Sequence, residues 1–328
     1  MNRNNRLEDS RVVLREGSEA LMNCLEFLDV RSTVRGLKKA LIKPNLRAAA
    51  VENYLLGSTT DVRLIEQLVD FLIAQGLEVS IGECTSSRSI TQRALERCGI
   101  LNLGGKARVL NLNDEKCVRL RTNDERLKYL DFPSPIVDAD FLISMPVMKT
   151  HSVTRISLGL KNMMGSTGEF MPVRLHLKGL EASIACLNRT RRPDLTIIDA
   201  TIAMEGTGPV LGTSLHLNTV LASYDPVAVD TIGSRMMGFP PESIGHIVGA
   251  EKIGVGTMKP EFVDGTLTVH HFRPSRHGLL VDLYAYKWFN MLMSLKPVHR
   301  YFYGAGYEKT KRILRLVSPI DREPRKSE

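Results

Sequence analysis

The chain has 328 residues, of which 43% are apolar and 24% charged, enough apolar content for a sizeable core in one large domain or two smaller ones. No apolar run approaches the roughly 18 residues of a membrane-spanning helix, and the polar opening Met1 to Arg6 lacks the apolar core of a secretory leader, so a cytoplasmic location is expected. The net charge of +8 is uneven, because Lys296 to Glu328 holds nine Lys/Arg against four Asp/Glu; the modest remainder, with no RNA- or DNA-binding signature, argues against nucleic acid as the partner.

Residues 1–10 read as a disordered N-terminus. Arg11 to Arg15 reads as a short strand, and Ser18 as the cap of a helix through Leu28 with Leu21, Cys24, Leu25 and Leu28 on one face. Ala40 to Lys43 is a strand stopped by Pro44 and Asn45. Asp61 opens a helix with Leu64, Ile65, Leu68, Val69 and Leu72 as its core stripe; Gly76 ends it, and Glu78 to Gly82 is the next strand. A short helix spans Thr91 to Cys98, a strand Ala107 to Leu112, and a polar strand or hairpin Lys116 to Phe132.

Phe141 to Met145 is a buried strand stopped by Pro146. Leu175 to Leu187 reads as helical, Leu195 to Asp199 and Leu217 to Ala222 as strands. Asp225 caps a helix from Pro226 to Met237 with Pro in its first turn. A late strand is expected at Thr266 to His270. Leu279 to Leu295 carries apolar residues at near-helical spacing, which predicts an amphipathic helix packing on the domain or touching a membrane surface. The alternation of strands and helices predicts an α/β fold: a mainly parallel sheet with helices on both faces over residues 11–277, then a basic helical C-terminal extension over 278–328.

In such sheets ligands bind at the carboxyl ends of strands, which ranks the motifs. Just beyond the strand ending at Met145 come Lys149 and His151, then Lys161 and Asn162, then the loop Gly165 to Gly168. Lysines neutralise anionic oxygens, loop amides cradle a phosphate or carboxylate, and His151 can move a proton or ligate a metal. A Walker loop is absent. His176 lies about a turn into the following helix, within possible reach of His151. Asp199 ends a strand, and Glu205 precedes Gly206, Gly208 and Gly212; two carboxylates there suit a divalent cation or acid–base work, or else the glycines simply make a tight connection. Asp225 has a sufficient role as a helix cap, whereas Asp230, inside an apolar helix, needs a cation or backbone donors. Lys43 and Asn45 end an early strand that meets the same cleft if it is adjacent.

The ordered set LIKPN, PVMKTH, LGLKNMMG, IIDATIAMEGTGP and ASYDPVAVD resembles the domain-of-unknown-function 362 family over about residues 38 to 256. The resemblance implies that Lys43, Asn45, Lys149, His151, Lys161, Asn162, Glu205, Gly206, Gly208, Pro209, Asp225 and Asp230 are hallmark positions. Members are often fused to ferredoxin-like iron–sulfur modules. The five cysteines here, Cys24, Cys84, Cys98, Cys117 and Cys186, form no C-x-x-C pair, so no iron–sulfur cluster is expected in this chain, and a redox role would need a separate protein partner.

These readings predict an enzyme acting on a small anionic metabolite. Lys149, His151, Lys161 and Glu205 are the catalytic candidates, and Lys43, Asn45, Asn162, Gly165, Gly206 and Gly208 the ligand-binding ones. His151, His176, Asp199, Asp225 and Asp230 are the candidate ligands of a divalent metal. The alternative is a non-catalytic cofactor-binding or redox-accessory module. Peripheral membrane contact by the C-terminal extension is a further expectation.

Overall fold

Ala40, Leu41 and Ile42 send side chains to alternate faces of their strand and are buried on both, which places this strand inside a sheet covered on each side. The computed structural model describes residues 8–50, 56–85, 87–168, 171–210 and 212–275. Within them the chain runs β1 (Val12–Glu16), α1 (Ala20–Phe27), α2 (Val30–Val34), β2 (Lys39–Pro44), α3 (Val62–Ala74), β3 (Glu78–Glu83), α4 (Arg88–Arg97) and β4 (Arg108–Asn111). There follow β5 (Cys117–Arg121), β6 (Tyr129–Pro133), α5 (Ser134–Asp138), β7 (Phe141–Met145), β8 (Val147–His151), β9 (Arg155–Ser157), α6 (Gly159–Asn162), α7 (Met171–Leu177) and α8 (Leu180–Thr190). The last are β10 (Leu195–Glu205), β11 (Thr213–Ser223), α9 (Pro226–Met236), α10 (Gly245–Lys252) and β12 (Val263–Asp264).

The main sheet has the order β12-β1-β11-β10-β7-β2-β3-β4, with β8 continuing beside β10 and β9 folded back on β8. Strands β10, β7, β2, β3 and β4 are mutually parallel; β11 runs antiparallel to both β10 and β1. The sheet is therefore mainly parallel, as the alternation predicts, with an antiparallel margin. The strands that hold Lys43, Met145 and Asp199 are neighbours in it, but Asp199 does not end its strand as expected, because β10 runs on in pairing with β11 to Glu205.

Two apolar layers cover the sheet. One takes Leu64, Ile65, Leu68, Val69 and Leu72 of α3 with the inner faces of α1, α2 and α4. The other takes Leu160, Leu175, Ile184, Leu187, Ile232 and Ile247 from α6 to α10. The chain leaves β2 through α3 to reach β3 on one side. It leaves β7 through α6 to α8, on the opposite face, to reach β10 on the other side. The carboxyl ends of β2 and β7 thus flank the point where the winding reverses, the place where open α/β sheets form a crevice.

Several elements differ from the sequence reading. The helix expected at 175–187 is two helices, because Gly179 adopts φ +94° between α7 and α8. Residues 266–270 are not a strand; the late strand is the two-residue β12, which pairs with β1. The segment after Pro146, to which the sequence reading assigned no element, is the hairpin β8–β9. Asp9 and Ser10 are buried and ordered, with Asp9 paired to Arg11 and Ser10 accepting the Glu261 amide. The predicted C-terminal helix and the whole extension 278–328 lie outside the described residues. Among the described residues no helix is long and apolar enough to cross a membrane.

Candidate functional site

At the end of β2 the Lys43 side chain is buried, and its ammonium uses all three donors: to Glu83 Oε1 at 2.8 Å, to Pro44 O at 2.7 Å and to Asn162 Oδ1 at 3.2 Å. A buried lysine so satisfied, with a carboxylate among its acceptors, is an internal part of the fold. Glu83 ends the adjacent strand β3. Its other contacts are the amides of Cys84, at 2.9 Å, and Leu46, at 3.0 Å. Gly165 packs over this pair so closely that a Cβ there would lie 2.4 Å from Glu83 Oε1 and 2.9 Å from Lys43 Nζ; only glycine fits.

Asn162, at the end of α6, fills its whole hydrogen-bonding capacity. Its Oδ1 accepts from Lys43 Nζ and from Asn45 Nδ2, each at 3.2 Å, and its Nδ2 donates to Lys43 O at 3.1 Å and Ser144 Oγ at 3.0 Å. Asn45 passes the chain on, because its Oδ1 accepts from Lys149 Nζ at 2.6 Å. Lys149 Nζ also donates to Ser58 O at 2.8 Å. The carboxyl ends of β2, β3 and β7, the strand β8 and the helix α6 are stitched together by one polar network, Glu83–Lys43–Asn162–Asn45–Lys149.

Lys149 differs from Lys43 in having two neutral acceptors and no carboxylate. Burial, with the neighbouring charge of Lys161 next in importance, pushes its pKa down to about 7. Lys161, half-buried on α6, has no hydrogen-bond or ion-pair partner among the described residues. Burial and the charge of Arg47 push its pKa to about 7 as well. Arg47 is exposed and likewise without a partner among the described residues. Lys149, Lys161 and Arg47 are thus near enough to disfavour one another's charge, and the nearby carboxylate, Glu83, is already paired with Lys43.

His151 ends β8 with its Nδ1 accepting the amides of Val153 at 3.1 Å and Thr154 at 3.4 Å, which fixes the ring proton on Nε2. Burial, reinforced by Lys161, holds its pKa well below the usual range. His176 on α7 feels the same charges; burial first, then Lys161, lowers its pKa to about 3. Both imidazoles are neutral near pH 7.

The remaining candidates lie elsewhere. Glu205 accepts from Arg273, through its backbone amide at 2.7 Å and Nε at 2.6 Å, and is absent from the lysine network. Gly206 and Gly208 seat their loop on the β8 hairpin: Thr150 Oγ1 donates to Gly206 O at 2.9 Å, and a Cβ on Gly208 would lie 2.2 Å from Thr150 O. Asp199 accepts the amides of Asp61 and Thr201 and the Thr201 hydroxyl. Asp225 caps α9 through the amides of Val227 and Ala228 and holds Thr257 N. Asp230 accepts the amides of Gly159 at 2.7 Å and Leu160 at 2.9 Å. Burial raises the pKa of all three, that of Asp230 to about 7.

The five residues grouped from sequence as metal ligands are thus divided. The three carboxylates are satisfied by backbone donors, and among the described residues no three His, Cys, Asp or Glu side chains gather as a metal-ligand cluster. Sequence reasoning also missed Glu83, Arg47, Ser58 and Ser144. Glu83 had a signal, a lone acid at the carboxyl end of the strand beside Lys43. The contribution of Ser58 is a backbone carbonyl, which no side-chain pattern announces.

The fold is that of an α/β protein with a mainly parallel sheet, and Lys149, Lys161 and Arg47 gather near the point where its winding reverses. A model described as "Domain of unknown function (DUF362)" matches residues 40–235, and the chain belongs to that family. It is 26% identical over 161 residues to the "Thylakoid-associated protein sll1697" of Synechocystis, an alignment covering 47% of this chain and 49% of that protein; the chain spans about half the length of this curated relative. In solved structures it is similar to the lactate racemase apoprotein from Thermoanaerobacterium thermosaccharolyticum, at a TM-score of 0.45 and 12% identity, over 71% of this chain and 58% of that one.

Proposed function

We propose that the chain is an enzyme acting on a small anionic metabolite, which binds between Lys161, Lys149 and Arg47 at the carboxyl ends of β2 and β7. The observation that carries this reading is Lys161: a half-buried amine without a protein partner among the described residues, surrounded by further positive charge. Holding such a group in a recess costs free energy in the empty protein, and a bound carboxylate or phosphate offsets that cost. Lys43, Glu83, Asn162 and Asn45 form the scaffold that positions Lys149.

The test is a thermal-shift screen of the whole protein with sulfate, phosphate, acetate and lactate. A ligand at about one hundred times its Kd adds about 2.7 kcal/mol to stability. At least one of these anions is expected to raise the melting temperature of the wild type and to leave Lys161→Met unmoved. Equal shifts in both proteins, or none in either, would refute the assignment.

A further inference from the structure

The His151 ring is tied to the turn of its own hairpin. Its Nδ1 accepts the amide of Val153 at 3.1 Å and that of Thr154 at 3.4 Å. A backbone N–H can only donate, so Nδ1 keeps its lone pair and the ring proton sits on Nε2. A proton on Nδ1 would face two amide hydrogens. The turn is closed by the β8–β9 pairs Lys149–Ser157 and His151–Arg155, and by Thr154 Oγ1 donating to Ile156 O at 2.9 Å. The residue is 8% exposed, and its Nε2 has no acceptor among the described residues.

We propose that His151 is a neutral oxygen-binding residue, its Nε2–H donating to an oxygen of the bound anion while the two backbone amides withhold Nδ1 from acid–base and metal chemistry. This rests on the anion-binding reading above and assigns one contact within it. Lys149 and His151 are two residues apart on β8, so their side chains leave the same face of the strand, from Cα atoms roughly 7 Å apart. Lys149 Nζ meets Asn45 Oδ1 and Ser58 O, which leaves the third hydrogen of its ammonium open. One face of β8 thereby offers two open donors, one on a lysine and one on a neutral ring, to one small anion. The charge of Lys161 acts on the same ring.

Holding Nδ1 in the turn narrows what the residue can do. A general base needs an imidazole lone pair that faces the substrate, and the lone pair of this ring faces Val153 and Thr154. A metal needs the same lone pair, because Nε2 carries the proton. A neutral imidazole N–H is a far weaker acid than an imidazolium, so the ring gives a hydrogen bond without giving up its proton. The atom it meets is an acceptor: a carboxylate, phosphate or carbonyl oxygen fits, and an ammonium does not.

The experiment labels the histidine ring nitrogens of the full chain and records their nuclear magnetic resonance with and without phosphate or acetate; the His151→Gln spectrum identifies the His151 signals. A neutral ring with its hydrogen on Nε2 is expected, and its Nε2–H signal should move as either anion binds. The second arm is His151→Asn. Its Oδ1 can accept amides two and three residues on, as Asx turns do, but no N–H reaches the Nε2 position. This variant should fold by circular dichroism and bind phosphate or acetate about ten- to a hundredfold more weakly in calorimetry; should it fail to fold, the wild-type spectra decide alone. A ring protonated on Nδ1, an Nε2–H signal indifferent to bound anion, or a folded Asn variant that binds as the wild type does would overturn the proposal. If Lys161→Met still loses binding in that case, the anion site stands and only His151 leaves it. If neither anion binds the wild type, both readings fall.

Discussion

Lys149 Nζ and Asn45 Oδ1 meet at 2.6 Å across the reversal point of the sheet, one residue from β8 and the other just past β2. This contact joins the two halves of the winding at the place where their strands diverge. It holds Lys149 by neutral groups alone, which is why burial can bring this amine near neutrality instead of fixing it as a cation. Through Asn45 and Asn162 it is connected to Lys43, which is paired with the Glu83 carboxylate.

The Lys43–Glu83 pair is almost wholly excluded from water, with side-chain exposures of 1% and 2%. Breaking a buried pair by removing one charge leaves the other uncompensated, at about 3–5 kcal/mol. Glu83→Gln is expected to lose stability of that order in urea unfolding. Combining Lys43→Met with Glu83→Gln should cost clearly less than the sum of the two single changes, because neither charge is then stranded. Additive losses would show that the two residues act independently.

Lys149→Met keeps a long side chain of similar shape and leaves two carbonyl oxygens short of one donor each, so a loss of about 1–3 kcal/mol is expected. Lys149→Arg is expected to be the more damaging of the two in thermal unfolding. The guanidinium cannot shed its charge, and its planar fork does not match the two contacts that one ammonium nitrogen makes with Asn45 Oδ1 and Ser58 O. An Arg variant as stable as the wild type would show that Lys149 carries its charge in a solvated position.

Asp230 holds the start of α6 through two amides, and Lys161 follows Leu160 directly. Asn at position 230 presents one acceptor oxygen and an NH2 group that cannot accept. Asp230→Asn is therefore expected to cost about 1–3 kcal/mol. It should also weaken anion binding measured by calorimetry, since the helix that carries Lys161 loses an anchor. Unchanged affinity in a destabilised protein would separate Asp230 from the recess.

Much of the sheet was legible in the sequence because its signals are local. The apolar run at 141–145, the stripe at Leu64, Ile65, Leu68, Val69 and Leu72, and the Asp225-Pro226 cap each fix an element without reference to the rest of the chain. The hairpin β8–β9 was not legible, because Lys149 and His151 are polar types on a buried strand whose burial depends on Asn45, Ser58 and the amides of Val153 and Thr154. The carboxylates misled for the same reason. Asp199, Asp225 and Asp230 were grouped as candidate ligands, but each is satisfied by backbone amides; the cap role of Asp225 and the backbone donors of Asp230 were among the sequence readings, the Asp61 amide on Asp199 was not. What the sequence conveyed of the site was its location after β2 and β7; which lysine has its donors free depends on tertiary contacts.

Proton uptake on anion binding tests the central claim, that Lys161 and Lys149 form a cationic recess for an anion, most directly. Both amines have folded pKa values brought from 10.5 to about 7. A depressed lysine contributes stability that is fully present above its unfolded value and is lost as pH falls through its folded value, so in the empty protein these groups should raise stability between about pH 7 and 10.5. A bound anion favours the charged forms and raises both pKa values. Binding above pH 7 must then take up protons, and affinity should fall as pH rises, approaching about tenfold per pH unit for one linked proton. Calorimetric titration of the anion found by thermal shift, in buffers of different ionisation enthalpy near pH 8, measures that uptake. The account predicts a net uptake of a substantial fraction of a proton or more in the wild type, and loss of binding in Lys161→Met. Tight binding with no proton uptake and no pH dependence, or binding that survives in Lys161→Met, would contradict it.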